Sequence, residues 1–299
     1  MVLITLIGLV TLYSALHQGG EMIRMELFWR QITWFAISWI LLFVFAFGVN
    51  HRHLYDGAWI LFAVTVLLLL AILAIGEIRM GAQRWLTVFG FNFQPSEFAK
   101  FTVIVLSARF FSRLRYLPMR DGISDFARQL VVPAIPVLVM AGLVFVQPDL
   151  GTAMLIVFLF FCMAIFCGVK KKYIAWVVGA GLLCLPLGWF LLKDYQRARL
   201  TVFLDPNADP LGAGYTIIQS KIAIGSGQLW GKGFLAGTQN QLNFLPERHT
   251  DFIFTIIAEE WGFLGIAVLL TLYYLLIRQI FAISLRSGDD FSKCVGIGI

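Results

Sequence analysis

The sequence predicts an all-α membrane protein that crosses the bilayer several times, and two observations lead to this fold class. First, apolar residues make up 60% of the 299 residues and charged residues only 13%, with a mean hydropathy of +0.84. A water-soluble domain is nearer half apolar and a quarter charged. Second, apolar stretches of the ~20 residues that a membrane-spanning helix needs recur along the chain.

Eight such stretches are expected to span the membrane. They are residues 1–16, 27–48, 57–76, 97–111, 129–147, 149–168, 173–192 and 252–277. The sequence has no low-complexity linker and no clear internal repeat, which favours one domain over residues 1–299. The long segment 193–250 is then a large extracytoplasmic loop between spans seven and eight. Residues 295–299 resemble the beginning of a further span, so we expect C-terminal spans beyond them.

The orientation follows from Lys and Arg in the short loops, which are enriched on the cytoplasmic side. One set of loops carries eleven of these residues and the alternate set carries four. The eleven are Arg52, Arg113, Arg115, Arg120, Arg128, Lys170, Lys171, Lys172, Arg278, Arg286 and Lys293. The four are Arg24, Arg30, Arg79 and Arg84. The first set is expected in the cytoplasm, so the net charge of +6 indicates orientation rather than nucleic-acid binding.

Asp251 is the leading catalytic candidate. It ends a charged segment and is followed directly by the last apolar stretch. A carboxylate at such a boundary is partly dehydrated yet reaches a water-soluble group, which suits a general base. The alternative is that Thr250 and Asp251 only cap the following helix, since both residue types favour first-turn positions.

Residues 77–100 separate the third and fourth stretches. Pro95 begins a typical helix start, with Glu97 in the first turn. Glu97 and Lys100 are three residues apart on that helix and can form a structural ion pair, with substrate binding as the alternative. Trp85 is either an interfacial anchor or a surface on which a sugar ring stacks.

The long loop contains glycines at positions 225, 227, 231 and 233. A nucleotide-binding P-loop is excluded, because it needs Gly where Ser226 stands and Ser or Thr where Gly233 stands. We expect these glycines at close approaches and turns in a re-entrant or surface-lying segment. Four basic residues of the loop are candidates for binding a pyrophosphate, with a solvated surface charge as the alternative for each. They are Arg197, Arg199, Lys221 and Lys232.

Seven motifs follow one another along nearly the whole chain. They are GAQRW (81–85), FQPSEFAK (93–100), QPDLGT (147–152), DYQRARL (194–200), DPLGAGY (209–215), QSKIAIGSG (219–227) and LPERHTDFIF (245–254). In this order they resemble the SEDS family (shape, elongation, division and sporulation), which includes RodA, FtsW and SpoVE. The ERHTDF form is more similar to the elongation members, RodA, than to the division members.

The resemblance implies a SEDS-type helical bundle of ten spans, of which about eight are present. It implies a peptidoglycan glycosyltransferase in the bacterial cytoplasmic (inner) membrane, which polymerises lipid II on the extracytoplasmic side during cell elongation and rod-shape maintenance. The implied partners are a class B penicillin-binding protein that supplies transpeptidase activity, the elongation machinery and membrane lipid.

The family's catalytic aspartate corresponds to Asp251 by the same resemblance. The implied reaction is inverting, with undecaprenyl pyrophosphate as the leaving group. Arg84 and Trp85 of GAQRW form a second functional position, and Glu97, Lys100 and the loop's basic residues are candidate substrate contacts. The leaving group needs positive charge, either from side chains or from a divalent cation such as Mg²⁺ or Mn²⁺. No metal ligands are predicted in the protein itself, and Asn243 departs from the Glu that relatives often carry.

Three other functions fit parts of the sequence. A flippase or transporter for the lipid-linked precursor would place ionisable groups near the midplane and often shows inverted repeats, whereas here the polar motifs gather at outward span ends. A non-catalytic cell-wall scaffold would not need so elaborate an outer loop. A metallohydrolase built on Glu247, His249 and Asp251 requires an extended segment, because alternating residues share a face only in a strand.

Overall fold

The computed structural model describes most of the chain. The described residues are 1–18, 21–22, 25–79, 82–88, 91–116, 122–191, 194–212, 214–242, 244–245 and 249–299. The fold is mainly helical, and each of the eight predicted stretches falls on a helix. Helices long and apolar enough to cross a membrane are Met25–Gly48, His51–Ile75, Ile123–Val146 and Ile253–Arg286 among these residues. The protein is therefore an integral membrane protein.

Thirteen α-helices follow one another in the described residues. They are α1 Val2–Leu16, α2 Met25–Gly48, α3 His51–Ile75, α4 Pro95–Phe111, α5 Ile123–Phe126, α6 Val132–Val146, α7 Leu150–Phe166, α8 Lys171–Leu191, α9 Asp194–Leu204, α10 Tyr215–Ser226, α11 Thr238–Gln241, α12 Ile253–Arg286 and α13 Asp290–Gly298. A π-helical turn, Ala127–Val131, joins α5 to α6, and single 3₁₀ turns occupy Leu114–Tyr116 and Pro206–Ala208.

Local sequence signals explain where several helices begin. The Asn50 side chain accepts a hydrogen bond from Arg52 N at the start of α3, and Asp149 caps α7 by accepting from Thr152 N at 3.2 Å. Helix α4 begins at Pro95, as predicted, because proline lacks the N–H that a first turn leaves unpaired. A turn at Gln147 and Pro148 separates α6 from α7.

Two regions differ from the all-α prediction. Short antiparallel strands form the hairpin β1 His17–Gln18 with β2 Glu21–Met22, and the three-stranded sheet β3 Glu77–Arg79, β4 Ala82–Val88 and β5 Phe91–Phe93. Span-length apolar patterns do not indicate strands this short. The 193–250 segment is also not simply a loop, since α9, α10 and α11 lie within it.

The chain divides into two compact units, which we describe separately. Unit 1 comprises residues 1–46 and 184–278, and unit 2 comprises residues 47–183 and 279–299. Unit 2 has a core of apolar residues from α3, α4, α6, α7 and α13. The buried Asp125 carboxylate in this unit accepts hydrogen bonds from Lys170 Nζ at 2.7 Å and from the Tyr173 hydroxyl at 2.9 Å. Unit 1 contains Asp251 and most of α12. The single-domain organisation remains a prediction.

Candidate active site

Helix α12 is broken at Gly262. This residue has φ 62° and ψ −161°, a conformation that is nearly exclusive to glycine. A Cβ at this position would lie 2.3 Å from the backbone nitrogen of Gly231, so no larger residue fits without backbone movement. The helix therefore has two halves, residues 253–261 and 263–286, and Asp251 lies just before the first half.

The segment 227–237, here called the glycine loop, provides hydrogen-bond partners at the break. In a continuous helix, Phe263 N would donate to Glu259 O and Leu264 N to Glu260 O. Here Phe263 N donates to Gln228 O at 2.9 Å and Leu264 N to Leu229 O at 3.2 Å. The two carbonyls accept from the loop instead, Glu259 O from Lys232 N at 2.9 Å and Glu260 O from Gly233 N at 3.0 Å. All four backbone groups exposed by the break are paired, as burial requires.

Glycine is needed where this loop meets α12. A Cβ on Gly227 would lie 1.9 Å from Ala258 O, and one on Gly231 would lie 2.1 Å from Glu260 O. Gly231 and Gly233 also have positive φ values of 79° and 104°. The predicted role in close approaches and turns is confirmed for these three residues. It is wrong for Gly225, which is helical and has no neighbour within 4 Å of an added Cβ.

A buried carboxylate fixes the loop to α12. The Glu259 side chain is 1% exposed, and its Oε1 accepts from Lys232 Nζ at 2.7 Å. The same oxygen accepts from Thr238 Oγ1 at 3.0 Å and from Gln239 N at 3.2 Å. Lys232 Nζ also donates to Thr238 Oγ1 at 2.7 Å. Lys232, a predicted pyrophosphate ligand, therefore has its charge balanced within the protein.

The neighbouring Glu260 is also buried, and it connects α12 to α1. The Ser14 hydroxyl donates to Glu260 Oε1, and the Ser14 carbonyl accepts from Asn240 Nδ2 at 2.8 Å. Our sequence reasoning did not identify Glu259 or Glu260 as important. The signal was present, because two adjacent carboxylates inside an apolar, span-length stretch are costly unless they have partners.

Asp251 is exposed, in the turn that precedes α12. Its side chain has no hydrogen bond or ion pair to any residue in the part of the chain that the structure describes. Helix α12 begins at Ile253, so Phe252 and not Asp251 precedes its first residue. This placement favours an accessible carboxylate over a helix cap, because Phe252 O already accepts the hydrogen bond of Thr255 N at the start of the helix. Glu247, Arg248 and Asn243 lie outside the described residues.

Two predicted site residues in unit 2 are paired. Lys100 Nζ lies 2.8 Å from Glu97 Oε2, with the lysine side chain 28% exposed and the glutamate side chain 60% exposed. The predicted ion pair is therefore present. Trp85 is half-buried on β4, opposite Glu77 on β3. Arg84 is on the same strand, and its side chain lies outside the described residues.

The remaining candidates lie on helices of the 193–250 segment. Arg197 on α9 donates to Phe190 O at 3.1 Å and lies 3.8 Å from Asp194. Lys221 is exposed on α10. Arg199 is also on α9, and its side chain lies outside the described residues. The structure thus pairs Lys232 with Glu259 and leaves the pyrophosphate role of the other three untested.

The fold and this site define a class: a helical integral membrane protein with an exposed carboxylate before a broken, apolar helix. A family model described as Cell cycle protein, covering FtsW, RodA and SpoVE, matches residues 1–299. The chain belongs to this family. It is 43% identical over 305 residues to peptidoglycan glycosyltransferase MrdB of Escherichia coli K12, with 100% of this chain and 79% of the relative covered.

More distant relatives and solved structures agree with this assignment. Peptidoglycan glycosyltransferase RodA of Treponema pallidum is 30% identical over 372 residues, covering 100% of this chain and 84% of the relative. A chain of a solved peptidoglycan synthase complex matches with a TM-score of 0.79 and 30% identity, over 99% of this chain and 80% of that chain. Thermus thermophilus RodA matches with a TM-score of 0.66 and 25% identity, over 99% and 77%.

Proposed function

We propose that this protein is a peptidoglycan glycosyltransferase that polymerises lipid II into glycan strands during cell elongation and rod-shape maintenance. The observation that carries the proposal is the similarity to MrdB, a peptidoglycan glycosyltransferase, at 43% identity over the whole chain. The structure supports it locally, since the residue that corresponds to the family's catalytic aspartate is exposed and lies before a broken helix.

Asp251 acts as the general base in this proposal. The 4-hydroxyl of the GlcNAc unit of one lipid II attacks the anomeric carbon of the MurNAc unit of another. The new glycosidic bond forms as the bond to undecaprenyl pyrophosphate breaks, with inversion, and the hydroxyl proton passes to Asp251. The transfer accompanies bond formation because a carboxylate is too weak a base to form an alkoxide beforehand.

The departing pyrophosphate requires compensating positive charge. Lys221 is exposed and is a better candidate than Lys232, because the Lys232 charge is paired with the buried Glu259 at 2.7 Å. Arg197, which lies 3.8 Å from the exposed Asp194, and Arg199 are the other proposed ligands. No group of three His, Cys, Asp or Glu side chains suited to a metal ion occurs among the described residues. A Mg²⁺ or Mn²⁺ ion would therefore be held mainly by the substrate's phosphates with one or two carboxylates, an arrangement common for Mg²⁺.

We propose a second group of substrate contacts, which comprises Trp85, Arg84, Glu97 and Lys100. Trp85 offers a half-buried aromatic face for a sugar ring. The Glu97–Lys100 pair retains exposed polar atoms, since 60% of the Glu97 side chain is accessible. A bound substrate can therefore reach this carboxylate without first breaking the pair.

The proposed topology has eight spans in the bacterial cytoplasmic (inner) membrane, with Asp251 and the 193–250 segment on the extracytoplasmic side. It rests on the eleven-to-four asymmetry of basic residues. A cysteine replacing Leu211, which is 91% exposed, should react with an impermeant thiol reagent in intact cells. A cysteine replacing the exposed Ser124 should not react, and labelling of that position alone would reverse the topology.

We also propose a class B penicillin-binding protein as partner, together with other proteins of the elongation machinery. The support is the likeness, at a TM-score of 0.79, to a chain of a peptidoglycan synthase complex that coordinates polymerization and crosslinking. Crosslinking is the activity that a transpeptidase partner would supply.

A lipid-linked precursor flippase is the second candidate. Buried carboxylates inside an apolar helix are typical of transport pathways, and Glu259 and Glu260 are 1% and 2% exposed. Both lie about 10 Å from the start of α12 at 1.5 Å per residue, inside a hydrocarbon core of ~30 Å, so their depth is compatible with a transport pathway. The ion pair with Lys232 accounts for the burial of Glu259 without transport, and Glu260 Oε1 accepts a hydrogen bond from the Ser14 hydroxyl.

One experiment separates these functions. Purified full-length protein and its penicillin-binding partner are incubated with lipid II, and products are separated on a gel. A ladder of glycan strands is expected. Absence of polymer, combined with movement of lipid II across the membrane of proteoliposomes, would support the flippase instead. Absence of both would favour a scaffold.

A further inference from the structure

The ion pair between Lys232 and Glu259 needs a reason beyond stability. A buried ion pair is on average no more stabilising than a well-packed apolar pair, because both charges lose their hydration. Glu259 is 1% exposed and Lys232 is 27% exposed, so at least one charge is held out of water. The glycine loop is already attached to α12 by four backbone hydrogen bonds. The charges therefore do not simply replace a missing attachment.

The location of the pair suggests a different role. Glu259 lies in the last turn of the first half of α12, eight residues after Asp251, or about 12 Å along a helix. Because of the break at Gly262, Phe263 N and Leu264 N of the second half donate to the glycine loop and not to the first half. The glycine loop takes over this function, and Lys232 contacts Glu259 twice, through its amide to the carbonyl and through its ammonium to the carboxylate.

Thr238 bridges the two charged groups of the ion pair. Its hydroxyl lies 2.7 Å from Lys232 Nζ and 3.0 Å from Glu259 Oε1, while Gln239 N donates to the same oxygen at 3.2 Å. One carboxylate oxygen thus contacts the middle of the glycine loop, at Lys232, and the start of α11, at Thr238 and Gln239. Gly237 is packed beneath it, with an added Cβ only 3.0 Å from Glu259 Oε2.

We infer that Glu259 and Lys232 are positioning residues for polymerisation, a role that rests on the proposed function. Their ion pair locks the glycine loop against the first half of α12 and thereby fixes the direction in which this half presents Asp251. A general base works only when its oxygen is within hydrogen-bond reach of the reacting hydroxyl. Misplacement by about 1 Å can lower a rate by as much as 100-fold.

The test compares rates per folded molecule, because a purely structural role would change only the amount of folded protein. The main variant is the neutral double change Lys232→Met/Glu259→Gln, which leaves no unpaired charge. Thr238→Val removes the bridging hydroxyl at an exposed residue and is less disruptive to folding. Asp205→Asn is the control, an exposed carboxylate of the same segment whose capping of Asn207 N an amide can maintain.

Full-length proteins with their partner are assayed with lipid II at several concentrations, below their melting temperatures. We expect kcat of the double variant to fall roughly 10- to 100-fold with KM within about two-fold, because Asp251 is displaced while substrate contacts remain. Thr238→Val should lose several-fold, Lys232→Arg should retain most activity, and Asp205→Asn should match the wild type.

A folded double variant with a wild-type kcat would overturn the inference. If the double variant fails to fold, the rate of Thr238→Val tests the inference. An unchanged kcat of that variant would also overturn the positioning role. The proposed function fails in a different way, since wild-type protein would then make no glycan strands. An active wild type with fully active variants refutes only the positioning role.

Discussion

The two lysine–glutamate pairs, Glu97–Lys100 and Lys232–Glu259, have similar contact distances and different physical character. Their nitrogen–oxygen distances are 2.8 Å and 2.7 Å. The first joins residues three apart on α4 and leaves 60% of the glutamate side chain exposed. The second joins residues 27 apart in the chain and leaves 1% exposed. The difference indicates that distance alone does not reveal how strongly a pair is coupled to the fold.

The exposed pair can be replaced at little cost, because water or headgroups solvate each charge when the partner is lost. Loss of Lys232 alone from the buried pair costs more, because it leaves a buried carboxylate with uncharged donors, which are the Ser226 and Thr238 hydroxyls and Gln239 N. The first pair therefore lies on the surface of the single helix α4, whereas the second is part of the contact between the glycine loop and α12.

The largest expected effect on stability comes from substituting Gly262, at the break in α12 next to the buried pair. Gly262→Ala introduces a Cβ 2.3 Å from Gly231 N at a φ of 62° and ψ of −161°. Backbone strain of about 1–3 kcal/mol and overpacking of about 1–3 kcal/mol predict a combined loss of roughly 2–6 kcal/mol. Thermal unfolding in detergent measures it.

Gly225→Ala is the matched control for this change. Gly225 is helical on α10 and has no atom within 4 Å of an added Cβ. Because alanine favours helices by about 1 kcal/mol over glycine, this variant should melt at or above the wild-type temperature. Equal melting of Gly262→Ala and Gly225→Ala would show that the break does not require glycine.

The second prediction breaks the buried pair from one side. Lys232→Met should lower the free energy of unfolding by roughly 3–5 kcal/mol, because a buried charge loses its partner. The double variant Lys232→Met/Glu259→Gln should recover most of this loss, since no buried charge remains. Melting temperatures of wild type, both singles and the double complete the cycle. Additive effects would mean that the pair is not coupled.

The smallest effect is expected for the exposed pair. Lys100→Ala should lower the free energy of unfolding by less than about 1 kcal/mol. The double variant Glu97→Gln/Lys100→Met should have a melting temperature close to that of Lys100→Ala. The same thermal-unfolding cycle applies, so the two pairs are compared on one scale. A loss at Lys100 as large as that at Lys232 would contradict the contrast, and would indicate that Glu97 is desolvated by the membrane.

The same contrast explains what the sequence could predict. Pro95, Glu97 and Lys100 lie within six residues of one helix, so spacing alone predicted both the helix start and the pair. The glycines at 227 and 231 were correctly assigned to close approaches and Gly233 to a turn, but the sequence does not say what approaches the first two. That partner is the break in α12, some 30 residues later in the chain.

The pairing of Lys232 with Glu259 was missed for the same reason. From the sequence it was a basic residue in a polar loop and hence a candidate pyrophosphate ligand, whereas the fold pairs it with Glu259. Long-range pairs depend on chain topology, which local spacing does not contain. The strands between α3 and α4 were missed because each has only three to seven residues.

Asp251 is the residue on which the whole account depends, and the rate of glycan-strand formation by Asp251→Asn tests it most directly. Asparagine keeps the shape and caps a helix as well as aspartate does, but it cannot accept the proton. We predict a loss of roughly 10²–10⁴ in rate, the usual result of removing a general base. The melting temperature and binding to the penicillin-binding partner should stay near wild type. A well-folded Asp251→Asn protein that makes glycan strands at a comparable rate would contradict the assignment.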